Sequence, residues 1–213
     1  MNDASLLSSK IEETIKSDII SGRLEAGEKI SIKELREWWG CSSTPIRDAI
    51  KSLDSKGFLI VSPRESIVVA TMDKEMFKEV FDLRIALECL AIELATPLIP
   101  TEKVDEAIIR YQTAAKSFAE TQDINCLNEV DFLLHNLVTE NCGNKILRRL
   151  IQDVGDQIEW ARRIIVSQPH AMEFALPEHL SVLTAIRRRN VMDAQDAMRI
   201  HLKNTFRRAV ETL

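Results

Sequence analysis

The hydrophobic pattern of this chain changes for good at Asp73. From there to Leu213, apolar residues recur only at the three- and four-residue intervals of an α-helix. Six stretches follow, at about 74–96, 101–121, 124–141, 145–166, 177–189 and 192–212. Their breaks carry ordinary stop and start chemistry. Thr96-Pro97 and Pro100-Thr101 part the first two, Asp123 caps the third, and Cys142-Gly143-Asn144 closes it. Ser167-Gln168-Pro169 ends the fourth, Pro177 opens the fifth, and Asn190 marks the last break. Each stretch has an apolar stripe, so the expectation is an all-α antiparallel helical bundle over 73–213.

Residues 1–72 read differently. Ile11, Ile15, Ile19 and Ile20 form a helical stripe that Gly22 and Gly27 interrupt. Ser31 caps a short helix with Ile32, Leu35 and Trp38, which stops at Gly40. A second short helix starts at Thr44-Pro45, with Thr44 as cap, and runs through Ile46, Ala49, Ile50 and Leu53 to Gly57. Phe58–Val61 and Ser66–Val69 are β-type runs around Ser62-Pro63-Arg64-Glu65, the pattern of a hairpin. Helix, short helix, tight turn, short helix and hairpin is the order of a winged helix-turn-helix. The fold class is therefore mainly α, a small winged domain over 1–72 followed by the bundle.

Charge narrows the function classes less than usual. The net charge of −5 does not favour nucleic acid, and residues 1–73 hold 10 Lys and Arg against 12 Asp and Glu. Only the placement of particular cations can argue for DNA. No apolar run reaches the roughly 18 residues a membrane span needs, and Met1–Ser5 lacks the marks of an export signal. Cys41, Cys89, Cys126 and Cys142 form no CxxC pair, which fits free thiols in a reducing cytoplasm.

In a helix-turn-helix the second helix enters the major groove by its N-terminal end. Here that end presents Ser42, Ser43, Thr44 and Arg47. A guanidinium one turn into the helix reaches guanine O6 and N7. The hydroxyls and the helix-start amides suit phosphates. Lys33 at the start of the preceding helix and Arg64 at the hairpin tip are further candidates for the DNA backbone and minor groove.

In the second region Asp131 and His135 stand four apart on one helix face, among Ile124, Leu127, Leu134 and Val138. His179 follows Pro177-Glu178, expected in the first turn of its helix. His201 lies on a stripe with Ala194, Ala197, Met198 and Thr205. The fourth histidine, His170, falls in a loop. Three inward imidazoles and a carboxylate suit zinc, nickel, manganese or iron, zinc foremost, with one or two coordination positions left open. Buried histidines are also ordinary hydrogen-bonded core residues, and spacing alone leaves both readings open. Arg162 or Arg163, deep in the fourth stretch, is a candidate clamp for an anion, and a plain surface cation is the alternative for either. An Asp/His site could also activate water in a metal-dependent hydrolase, but no convincing general base accompanies it, since Glu178 is expected to point elsewhere.

The first region resembles the GntR family of regulators. The matching residues are Ile19-Ile20-Ser21-Gly22-Arg23-Leu24-Glu25-Ala26-Gly27, then Lys33-Glu34-Leu35, then Gly40-Cys41-Ser42-Ser43-Thr44-Pro45-Ile46-Arg47-Asp48-Ala49-Ile50, with Leu53 and Gly57. The family usually has Arg at the place of Ser43 and Gly at that of Glu65, so the resemblance implies atypical phosphate contact. A binding protein with weakened DNA affinity is the corresponding alternative. The second region resembles the FCD ligand-binding domain of the FadR-like branch. It does so through Asp82-Leu83-Arg84-Ile85-Ala86-Leu87-Glu88, Asp131-x3-His135, Gly143-Asn144, Glu178-His179 and Ala197-Met198-x2-His201-Leu202. Six helices resemble its VanR-like subgroup. The resemblance implies Asp131, His135, His179 and His201 as metal ligands and a cavity for a small carboxylate effector lined by Arg84 and Glu88. It also implies a homodimer on two-fold related half-sites of double-stranded operator DNA, acting most often as a repressor and not as an enzyme.

Overall fold

The computed structural model describes residues 3–62, 66–166 and 171–211. It divides into two compact units, Met1–Asp73 and Lys74–Leu213.

In the first unit, helix α1 (Asp3–Ser21) buries Ile11, Ile15 and Ile19 and packs on α3 (Ser43–Ser55). Between them lie strand β1 (Lys29–Ile30) and α2 (Ile32–Trp39). The Ser31 hydroxyl accepts from the Glu34 amide at 3.5 Å, as a capping serine does. Gly40 closes α2 in the left-handed region at φ 57°, a conformation that a side chain strains, and so permits the abrupt turn into α3. Pro45, Ile46, Ala49, Ile50 and Leu53 form the buried face of α3. Strands β2 (Leu59–Val61) and β3 (Ile67–Val69) make the expected hairpin, with Leu59 opposite Val69 and Val61 opposite Ile67.

Two sequence expectations change here. The sheet has a third strand, in order β1-β3-β2, all antiparallel, with Lys29 opposite Val68. Two residues are too few to show alternation, so only tertiary pairing reveals β1. The cap expected at Thr44 lies two residues earlier, at Ser42, extended at φ −70°, ψ 167°, and the helix begins at Ser43. Pro45 is thus the third helical residue. Its missing N–H still falls among those with no intrahelical acceptor, so nothing is lost. Pro63, Arg64 and Glu65, the expected wing tip, lie outside the described residues.

Among the described residues, every regular element of the second unit is a helix. It contains α4 (Lys74–Ala95), α5 (Thr101–Thr121), α6 (Asn125–Asn128), α7 (Asp131–Asn141), α8 (Lys145–Asp153), α9 (Gly155–Val166), α10 (Ala171–Arg187) and α11 (Val191–Val210). Helix α4 packs against α7, α8, α9 and α11, and α10 packs against α5 and α11. The core between them includes Ile92, Tyr111, Leu134, Leu183, Ile186, Met198 and Leu202. Arg189 ties three segments: it donates to the Thr96 carbonyl at 2.7 Å and the Thr101 hydroxyl at 3.2 Å.

Among the described residues, eight helical segments replace the six expected. The stretch 124–141 breaks at Val130 (φ −99°, ψ −10°), a β-branched residue of low helix propensity whose side chain is buried in the core. The stretch 145–166 breaks at Val154, just before Gly155, the residue with least to gain from a helix interior. Conversely, α10 does not open at Pro177 but runs through it. Pro177 costs one backbone hydrogen bond, while burial of Ala175, His179, Val182 and Leu183 on either side holds the helix together. His179 therefore sits mid-helix rather than in a first turn.

Candidate functional site

Three of the four histidines meet inside the second unit. His135 from α7, His179 from α10 and His201 from α11 bring one ligand nitrogen each to within 4.8 Å of one another. His179 and His201 are buried, and His135 is nearly so. Each histidine is placed by the apolar face that carries it: Leu134 and Val138, Val182 and Leu183, Met198 and Leu202.

Neighbouring groups set the tautomers. An Arg guanidinium only donates, so the Arg84 Nη2 that stands 3.3 Å from His135 Nε2 makes that nitrogen the acceptor. His135 Nδ1–H then donates to the Glu88 carboxylate. Likewise His201 Nδ1–H donates to Glu178 at 2.9 Å, leaving the lone pair on Nε2. A carboxylate behind an imidazole, fixing which nitrogen faces inward, is the support that metal-binding histidines commonly have. His179 is different. Its Nε2 faces His201 Nε2 at 3.1 Å, and its buried Nδ1 has no hydrogen-bond partner among the described residues.

Two imidazole nitrogens pointed at each other need either a shared proton or a cation between them. An ion held by bonds of about 2.0–2.1 Å spaces tetrahedral nitrogen ligands roughly 3.3 Å apart, close to the separation seen. The donor set is nitrogen-rich, borderline in softness, and fits a first-row divalent ion. Electrostatics agree. Burial holds His179 far below the ordinary histidine value, with repulsion from His201 and His135 adding to it. Burial lowers His201 too, partly opposed by Glu178. Both therefore present neutral imidazole near pH 7, the form that binds metal. Burial by itself would raise Glu88, but His135 and Arg84 outweigh it and hold the carboxyl well below its usual range. Glu178 is drawn down to about 2 against the cost of burial by hydrogen bonds from His201, Arg208 and Asn204.

Asp131, expected as a fourth ligand, remains one turn before His135 but is not among the three clustered donors. Its carboxylate accepts from Arg162 Nη1 at 3.2 Å. Beside the cluster opens a cavity of about 270 Å³, lined from α4 by Arg84 and Glu88, and from α7 by Phe132, His135 and Thr139. Arg148 and Ile151 of α8 and Ile158 and Arg162 of α9 complete much of its wall. All three expected effector residues, Arg84, Glu88 and Arg162, thus border one space. Arg162 is already committed: Nε and Nη2 donate to Glu159 at 2.8 Å, and its guanidinium lies 3.8 Å over the Phe132 ring.

Sequence reasoning missed Glu178 as a partner of the cluster. It was expected to point elsewhere, yet it reaches across to α11, where His201, Asn204 and Arg208 share one face at intervals of three and four. That polar run on an otherwise apolar stripe was the available clue. Arg148 was missed as well, since nothing local distinguishes it from Arg149.

In the first unit, Ser42, Thr44 and Arg47 are exposed and Ser43 is half-buried, on the side of α3 opposite its apolar face. Ser42 makes no side-chain cap bond, and Lys33 is exposed at the start of α2, 4.0 Å from Glu37.

Comparison with known proteins decides the family. The FCD domain matches residues 79–204, and the model of bacterial regulatory proteins of the gntR family matches residues 7–69. The chain belongs to the GntR regulators that carry an FCD domain. Proteins of this kind bind DNA and regulate transcription, and are not enzymes. The uncharacterized HTH-type transcriptional regulator YdhC of Bacillus subtilis is 25% identical over 193 residues, covering 89% of this chain and 85% of YdhC. The HTH-type transcriptional repressor GlaR of Escherichia coli is 24% identical, covering 88% of this chain and 89% of GlaR. The structure of E. coli McbR/YncC superposes with a TM-score of 0.72 at 19% identity, over 99% of both chains, and supports the fold. No helix among the described residues is long and apolar enough to cross a membrane.

Proposed function

We propose that this GntR regulator is a metal-dependent sensor of a small carboxylate, and that effector binding in the FCD domain controls operator affinity. The observation that supports this most directly is the convergence of His135, His179 and His201 beside a cavity that Arg84 also lines.

In this reading the three imidazoles would hold a divalent ion, zinc foremost, with Asp131 as a fourth ligand if it turned from Arg162. When bound, the ion would supply Lewis acidity for a carboxylate oxygen. Arg84 neutralises the remaining charge, with Glu88 keeping its guanidinium in place at 2.6 Å. Arg162 would turn only the Nη1 freed by Asp131 toward this same carboxylate, its other nitrogens staying on Glu159. Glu88 and Glu178 keep the imidazoles of His135 and His201 turned inward. In the other unit, Arg47 reads a guanine edge, Ser42, Ser43 and Thr44 hold phosphates, and Lys33 and Arg64 add backbone and minor-groove contacts. The functional unit is a homodimer on two-fold related half-sites in the cytoplasm, and it acts as a repressor, the role that GlaR has among its relatives. With the two helix breaks joined, the described residues of the second unit form six helical runs, which supports assignment to the VanR-like subgroup.

The test is fluorescence anisotropy of the full chain on its own upstream DNA, with zinc or chelator and a panel of small acids. A specific complex that an acid weakens only when metal is present supports the proposal. A complex indifferent to both, with H179A and H201A behaving as wild type, rejects it.

A further inference from the structure

We infer that the effector cavity is built for a linear dicarboxylate, with Arg148 as the determinant that receives the second carboxylate. This rests on the metal-and-carboxylate reading of the same site.

The cavity has cations at both ends of α7, but they are not equivalent. Near the start of the helix, all three nitrogens of Arg162 are engaged by Glu159 and Asp131. Near its end, Arg148 of α8 anchors one nitrogen, Nη2, on the Glu140 carbonyl at 2.8 Å. Its Nε is shielded from solvent and has no hydrogen-bond partner among the described residues. A guanidinium N–H buried without an acceptor carries a desolvation cost that nothing offsets. A ligand oxygen in the cavity would remove that cost. Arg148 lines the cavity, as does Gln152 one turn later on α8. Thr139 and Asn136 face the same space from α7. The wall also includes the apolar side chain Ile151, one turn along α8 from Arg148.

The spacing sets the ligand's length. His135 and Glu140, to which Arg148 is tied, are five residues apart on α7, a rise of roughly 7–8 Å. A chain of about four to six carbons spans such a distance with a carboxylate at each end. A volume near 270 Å³ leaves no room for a bulky acyl carrier or a nucleotide. The first carboxylate takes the place beside the histidines and Arg84. The second accepts from Arg148 Nε and from whichever of Thr139 and Gln152 it reaches, with the methylenes against Ile151.

The experiment is titration calorimetry on the zinc-loaded full chain. Butanedioate, pentanedioate and hexanedioate are compared with the monocarboxylates of equal length, in wild type and in Arg148→Gln. Zinc content is measured separately for both proteins. Wild type is expected to bind at least one dicarboxylate about tenfold to a hundredfold more tightly than its monocarboxylate counterpart. R148Q is expected to lose that preference while keeping the monocarboxylate affinity, which also shows that the variant is folded. Equal wild-type affinities for the two classes overturn the inference whatever R148Q does, and so does a preference that survives in R148Q. If zinc-loaded wild type binds neither class, the carboxylate-sensor reading itself fails, and this inference with it.

Discussion

Glu178 offers the sharpest check on the electrostatics of the cluster, because a single carboxylate holds His201, Asn204 and Arg208 together. Its pKa falls from 4.5 to about 2 despite burial, drawn down by hydrogen bonds from those three groups. Such a change corresponds to roughly 3 kcal/mol at neutral pH. The side chain is still 16% exposed, and water screens part of the interaction, so about 1–2 kcal/mol is the figure to expect. The sign follows from proton binding. The unfolded chain takes up a proton near pH 4.5 and the folded one only near 2, so the contribution is complete above 4.5 and is lost as pH falls toward 2. In chelator-treated protein, Glu178→Gln is expected to lower the urea-unfolding free energy by about 1–2 kcal/mol at pH 7. The gap between wild type and variant is expected to narrow below pH 4.5. In metal-loaded protein the same variant is expected to bind zinc about 10- to 100-fold more weakly, since His201 loses the group that orients it. Equal unfolding midpoints at pH 7, or a gap that stays constant down to pH 3, would refute the assignment of Glu178 as the carboxylate that steadies His201.

Metal-free protein is expected to lose stability as pH drops below about 6.5. Burial keeps His179 and His201 neutral in the fold while the unfolded chain gains their protons, and urea midpoints from pH 8 to 5.5 in wild type and in the H179N/H201N double variant measure the difference. Saturating zinc is expected to raise the midpoint by mass action, by about 2.7 kcal/mol at a hundredfold excess over Kd, and chelation is expected to reverse it. Arg47→Ala is expected to cost about 1–3 kcal/mol of operator affinity and to relax selectivity at one base pair, read by anisotropy on single-base variants of the site. Leu183→Ala, at a fully buried core position, is expected to cost about 2–5 kcal/mol of stability by calorimetry without changing the N-terminal unit's secondary structure.

Much of this architecture is legible in local sequence because local physics decides it. Isoleucines at 11, 15 and 19 can share a buried face only on a helix, and all three do. Gly40 after a capped eight-residue helix signals a turn whatever surrounds it. The inward histidines were readable too, since an imidazole on an apolar stripe must lie inside. What sequence could not settle was what each one meets there. Asp131 and His135 are one turn apart and were read as a pair. Yet His135 turns to Arg84 and Glu88 of α4, while Asp131 turns to Arg162 of α9. The helix breaks at Val130 and Val154, the passage of α10 through Pro177 and the two-residue strand β1 depend in the same way on contacts from distant segments.

Periodicity and capping are interactions among residues within one or two turns, so the chain's own order dictates helix content, the turn before α3 and the inward face of each histidine. The partners of those histidines, the unpartnered Arg148 Nε and the cavity between α7, α8 and α9 arise where helices far apart in sequence cross. Only the packed structure decides which charges meet there, because the cost of leaving a buried charge alone is set by its neighbours in space.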